Sequence, residues 1–151
     1  MGCQYVRDSC DTAAQAALGL GGLMKILIAE DSSIVRRLVA GRLTADGYDV
    51  IEAADGEEAL TLAQREHPDL VVLDKIMPKY DGFEVLRALR DDAQTRAIPI
   101  VMLTERTNEA DVLDGRSLGV EEYMPKPFSP RELSARVQRV LARADHASGT
   151  R

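Results

Sequence analysis

From Lys25 onward, short apolar runs alternate with longer amphipathic stretches five times, and no other feature of the chain narrows its fold as far. Parallel strands need long crossovers, usually helical, so this alternation predicts a parallel sheet with helices on both faces. The strand candidates are Lys25 to Ala29, Tyr48 to Glu52, Leu70 to Leu73, Ile98 to Leu103 and Glu121 to Met124. Three of them are near-continuous Val, Ile and Leu, the composition of strands covered on both sides.

Period and punctuation mark the helices. Ile34, Val35, Leu38, Val39 and Leu43 recur at helical spacing behind Ser32 and Ser33, either of which can cap the free amides, and Gly47 closes the segment. Further helices are expected from about Gly56 to Arg65, Gly82 to Arg90 and Glu109 to Leu118. A fifth starts after Ser129-Pro130, with Pro130 at the favoured first helical position and Leu133, Val137, Val140 and Leu141 on one face.

A chain of 151 residues, 45% hydrophobic and 29% charged, has room for one domain with a proper core. The expected division is a disordered extension over 1–23, a domain over 24–145 starting at Met24, and a polar, frayed tail over 146–151. On that reading no output module is attached. The formal net charge of -6 argues against a general nucleic-acid or anionic-membrane binder, since both need a basic footprint. Cys3 and Cys10 fit neither a zinc hook nor a disulfide framework, and the run from Ala13 to Met24 is too short to span a bilayer. A reduced, cytoplasmic setting is expected. His67 and His146 have no neighbours that make them metal ligands or phosphotransfer groups, and the charged stretch Arg87 to Asp92 reads as a solvated helix end.

In an open parallel sheet, ligands bind beyond the carboxyl ends of the strands. Here those ends are Glu30-Asp31, Asp74, Thr104 and Pro125-Lys126-Pro127. Singly, such residues are helix caps, turn residues or solvated charges. At the ends of four strands on one rim they form a site. Three neighbouring carboxylates require a bound proton or cation, and oxygen-only ligands around an open position suit magnesium. Asp74 is then a candidate nucleophile for a phosphoryl group, with Lys126 neutralising its oxygens and Thr104 donating a hydrogen bond.

The spans Ile26 to Ser32, Leu73 to Gly82, Met102 to Thr104 and Tyr123 to Phe128 resemble, in order and spacing, the diagnostic segments of response regulator receiver domains, over about residues 24 to 143. The resemblance implies a flavodoxin-like α/β fold: a doubly wound five-stranded parallel sheet in order 2-1-3-4-5, flanked by five helices. It implies that Asp74 is the phosphoacceptor, that Asp31 binds Mg2+ directly and Glu30 through water, and that the Ile76 carbonyl completes the protein ligands. Lys126 would meet the phosphoryl group beside a cis peptide to Pro127, and Thr104 and Tyr123 would form the switch pair. The implied partners are a sensor histidine kinase or histidine phosphotransfer protein and a downstream protein docking on the fourth helix, fifth strand and fifth helix. The chain would be a signalling protein, an enzyme only toward its own phosphorylation and dephosphorylation.

Two positions depart from the family: Glu105, where a small residue is usual, and Lys75, where an apolar one is common. Both add bulk and charge at the entrance. A magnesium-dependent phosphohydrolase of the haloacid dehalogenase type also uses a strand-end aspartate, but it needs a second Asp where this chain has Ile76. A flavin carrier would need a Ser/Thr/Gly-rich phosphate loop after the first strand. A degenerate receiver, working as a phosphorylation-independent interaction module, is the alternative that Glu105 favours.

Overall fold

The computed structural model describes residues 23–104 and 119–149. Along the chain run β1 (Lys25–Ala29), α1 (Ser33–Ala45), β2 (Asp49–Ala53), α2 (Gly56–Glu66) and β3 (Leu70–Asp74), followed by α3 (Gly82–Asp91), β4 (Ile100–Thr104), β5 (Glu122–Pro125) and α4 (Pro130–Gly149). The strands form one parallel sheet in the order β2-β1-β3-β4-β5. This is the doubly wound arrangement that the resemblance implied. Four helices lie among the described residues rather than five; the helix expected from Glu109 to Leu118 lies outside them, as do Glu105, both cysteines and nearly all of the expected N-terminal extension.

Two apolar clusters sandwich the sheet. One face puts Leu27, Val71, Leu73, Ile100 and Met102 against Ala59, Leu62 and Ala63 of α2 and Phe83, Leu86 and Leu89 of α3. The other puts Ile26, Ile28, Val72, Val101 and Leu103 against Val39 and Leu43 of α1 and Leu133, Val137 and Val140 of α4. Neighbouring residues of one strand thus feed opposite clusters, which is why the central strands must be apolar at every position.

Local chemistry sets the boundaries. Ser32, not Ser33, caps α1, accepting from the Val35 N–H at 3.3 Å, and Gly47 takes φ +101 just past the helix end. Asp55 caps α2, while α3 opens on a reciprocal capping box between Asp81 and Glu84. β4 starts two residues later than expected, because Ile98 bonds back to Thr95 in a turn and Pro99 has no N–H to give the ladder. α4 stays helical to Gly149, past Asp145, where the polarity of the sequence predicted its end. Polarity does not stop a helix, and Ala142 and Ala144 are strong helix formers.

The expectation of a solvated helix end over Arg87 to Asp92 fails at Arg90. Its side chain is only 15% exposed, and it donates to the carbonyls of Arg96, Ile98 and Gly119 at 2.7 to 2.9 Å, stapling the end of α3 to the loops before β4 and β5. A helical charge that serves distant loop carbonyls carries no pattern in sequence.

Candidate functional site

The sheet order reverses at β1, with β2 on one side and β3 on the other, so the crevice beyond β1 and β3 is where a doubly wound fold takes its ligand. Register brings the right residues there. Ala29 pairs with Leu73, Asp74 with Leu103, and Thr104 with Pro125, so the next residues along these strands, Glu30, Asp31 and Lys126, emerge beside Asp74. A hydrogen bond from the Lys126 N–H to the Thr104 carbonyl, 2.7 Å, continues the ladder to the ammonium-bearing residue. The Lys126–Pro127 peptide is cis.

The cleft, about 390 Å³, is lined by Glu30, Asp31, Ser32, Val35, Asp74, Lys75, Ile76 and Lys126. Glu30, Asp31 and Asp74 each bring a carboxylate oxygen within 4.8 Å of the others. Glu30 and Asp74 are buried and Asp31 is exposed, so the group opens to solvent on one side. Lys126 Nζ lies 2.9 Å from Glu30 Oε1 and 3.3 Å from Asp74 Oδ2. Ser32 donates its N–H to Glu30 Oε2 at 3.0 Å, and Ile76 its N–H to Asp74 Oδ1 at 3.4 Å.

Burial, and then the Glu30 charge, pushes the Asp74 carboxyl up from 3.8 to about 7, further than Lys126 can pull it back. Burial works on Glu30 too, but hydrogen bonds from Lys126, the Ser32 amide and Asp74 outweigh it and hold Glu30 below its ordinary value. The Lys126 ammonium is likewise disfavoured by burial but raised overall by Glu30 and Asp74. Without a cation the crowding of charge is therefore relieved at Asp74, the carboxyl of the cluster that takes up a proton as pH falls through about 7. The donor set is oxygen-only and anionic, which fits a hard divalent cation with room for water and an anionic ligand.

Close packing fixes the loop after Asp74. A Cβ on Gly82 would lie 2.6 Å from the Asp74 carbonyl oxygen and 2.7 Å from the Lys75 Cα, and one on Gly56 would overlap the Tyr80 backbone. Only glycine admits these approaches. Ile76 itself is 65% exposed. Lys75 reaches back over the Phe83 ring, 5.8 Å from its centroid.

Thr104 is buried at the end of β4, one residue past the partner of Asp74. Tyr123 pairs with Met102 on β5 and packs half-buried against the same apolar cluster as Met102. The structure thus gathers Glu30, Asp31, Asp74, Ile76 and Lys126 around one cleft, with Thr104 on its rim and Tyr123 one row behind. Sequence reasoning missed Arg36, whose Nη1 donates to the Glu30 carbonyl at 2.8 Å. Its only signal in sequence was a position one turn into a helix that starts beside two acidic residues.

A doubly wound α/β protein with an acidic, cation-ready cleft at its switch point is thereby defined. Comparison with known proteins narrows it further. A family model described as the response regulator receiver domain matches residues 26–138. A probable transcriptional regulator, ycf27, of Porphyridium aerugineum is 51% identical over 124 residues, covering 82% of this chain and 50% of that protein. The alkaline phosphatase synthesis transcriptional regulatory protein PhoP of Bacillus subtilis is 48% identical over 124 residues, covering 82% of this chain and 51% of its own length. Among solved structures, the chemotaxis protein CheY4 of Vibrio cholerae superposes with a TM-score of 0.75 at 38% identity, covering 79% of this chain and 99% of that one. The chain belongs to the response regulator receiver domain family, a family of two-component signalling proteins rather than of ordinary enzymes. It spans about half the length of the curated relatives it matches. Among the described residues no helix is long and apolar enough to cross a membrane.

Proposed function

We propose that this chain is the phosphorylation switch of a two-component or phosphorelay system, with Asp74 accepting a phosphoryl group from a histidine kinase or histidine phosphotransfer protein. The observation that carries the reading is the burial of Asp74 against Glu30 and Lys126, with an exposed Asp31 completing an oxygen-only cluster. A carboxylate oxygen of Asp74 attacks phosphorus, the O–P bond forms as the bond to the donor nitrogen breaks, and the freed imidazole takes up a proton. Asp31, Asp74 and the Ile76 carbonyl would hold Mg2+, with Glu30 acting through water. Such an ion would supply positive charge to the carboxylate cluster and to the phosphoryl oxygens. Lys126 already stands 3.3 Å from Asp74 and offers its ammonium to the transferred group. Thr104 would then donate to a phosphoryl oxygen, and Tyr123 would move into the space it leaves.

The exposed apolar side chain of Leu38 on α1 lines an apolar groove of about 500 Å³ that shares Val35 and Lys126 with the cleft. That adjacency suits a protein donor. The response would be read on the segment 109–118, β5 and α4. Relatives named as transcriptional regulators point to an output in transcription, in which this chain supplies the switch and, with a net charge of -6, not the nucleic-acid contact. The setting that suits such a partner is the cytoplasm.

Labelling by acetyl phosphate, with intact mass as the readout, tests the reading. One phosphoryl group is expected only with magnesium, and none in Asp74→Asn. Full labelling in chelator, or an acid-stable label persisting in Asp74→Asn, overturns it. Partner capture by a chain that never takes up phosphoryl would support the degenerate receiver instead.

A further inference from the structure

Past Ala29 the ladder of β1 ends, and Asp31 must be presented to the cleft without a strand beside it. Bonds from elsewhere replace the ladder. The Glu30 N–H donates to the Ala53 carbonyl at 3.1 Å, and its carboxylate accepts from the Ser32 N–H and from Lys126. One backbone group of this residue is left, its carbonyl, and Arg36 Nη1 donates to it at 2.8 Å. The same guanidinium donates through Nε to Glu52 Oε1 on β2 at 3.1 Å. Arg36 is thus a two-ended brace between the metal-site loop and the edge strand, its side chain only 15% exposed.

We propose that Arg36 is a positioning residue for Asp31, fixing the peptide between Glu30 and Asp31 from outside the cleft so that the Asp31 carboxylate is held ready for the cation. The proposal rests on the reading that the cleft binds magnesium. The Glu30 carbonyl and the Asp31 N–H belong to one planar unit, so holding the carbonyl sets where the Asp31 Cα lies. Magnesium tolerates little departure from octahedral geometry, so a loosened ligand weakens binding directly. Outer partners that orient ligands of a metal typically change affinity by about 10- to 100-fold.

Charge alone predicts the opposite sign. Arg36 is a cation bonded to the backbone of the metal-site loop, and its removal would make the surroundings of the cleft more negative and, if anything, tighten magnesium binding. Positioning predicts weaker binding. Lysine separates the two further, because it keeps the charge but lacks the planar fork that spans a carbonyl and a carboxylate together.

The test is calorimetric titration of the full chain with magnesium chloride, alongside amide exchange in chelator. Arg36→Lys and Arg36→Ala are expected to bind magnesium about 10-fold more weakly and to exchange the Asp31 and Ser32 amides faster before any metal is added. Glu52→Gln leaves the bond to the carbonyl available and is expected to stay within about twofold of the wild type, since its partner end is 42% exposed. Equal or tighter binding by both Arg36 variants overturns the proposal, provided that the wild type binds and Asp31→Asn does not. That result leaves the metal reading standing. No binding by the wild type overturns both.

Discussion

Replacing Asp74 by Asn should stabilise the metal-free protein, although it removes the residue on which the proposed chemistry depends. In the folded chain the Asp74 carboxyl is raised to about 7 from 3.8, by burial first and the Glu30 charge second. A carboxyl raised on folding contributes its full share of stability below its ordinary value, and that share is lost as pH rises from there through the folded value. At about 1.4 kcal/mol per decade, the difference between 3.8 and about 7 amounts to about 4 kcal/mol above neutrality. Residual order in the unfolded chain and loss of the Lys126 contact reduce what Asn recovers, so a gain of about 2 kcal/mol is expected at pH 8. For a domain of this size that is a rise in Tm of about 5 to 10 °C. Thermal unfolding monitored by circular dichroism in EDTA measures it. The advantage of Asn should vanish below about pH 4, grow up to about pH 7, level off above it, and disappear in saturating magnesium. An equal advantage at pH 5 and pH 8, or a loss of stability at pH 8, would refute the reasoning.

Other perturbations separate chemistry from scaffold. Lys126→Ala should still bind magnesium but lose the response to beryllofluoride, a phosphoryl mimic, read as unchanged amide exchange over β5 and α4; a retained response would remove Lys126 from the switch. Tyr123→Ala should take up phosphoryl normally yet change affinity for the downstream partner, which a labelling assay beside a binding assay distinguishes. Gly82→Ala forces a Cβ to 2.6 Å from the Asp74 carbonyl, a backbone atom that cannot yield cheaply, and should cost about 2 to 4 kcal/mol in urea unfolding. Arg90→Met should cost about 1 to 3 kcal/mol by stranding the carbonyls it serves, with exchange rising first in the loops before β4 and β5.

The five alternations of apolar run and amphipathic stretch were enough to determine a parallel sheet with two covered faces, because a strand buried on both sides has to be apolar at every position and shows it. The candidate rim was legible for a related reason. Ligands gather at the carboxyl ends of parallel strands, so Glu30, Asp31, Asp74, Thr104 and Lys126 could be collected by asking only which residues terminate each apolar run. Strand order was not legible in that pattern, since alternation is the same for any crossover sequence; only the resemblance supplied it, and the tertiary structure established it. Polar residues whose partners lie far along the chain were also invisible. Arg36 meets Glu52 and Arg90 meets Gly119 only after the sheet has formed. The state of Asp74 belongs to tertiary structure for the same reason: an isolated aspartate ionises readily, and only burial beside the Glu30 charge, against the pull of Lys126, raises its carboxyl to about 7.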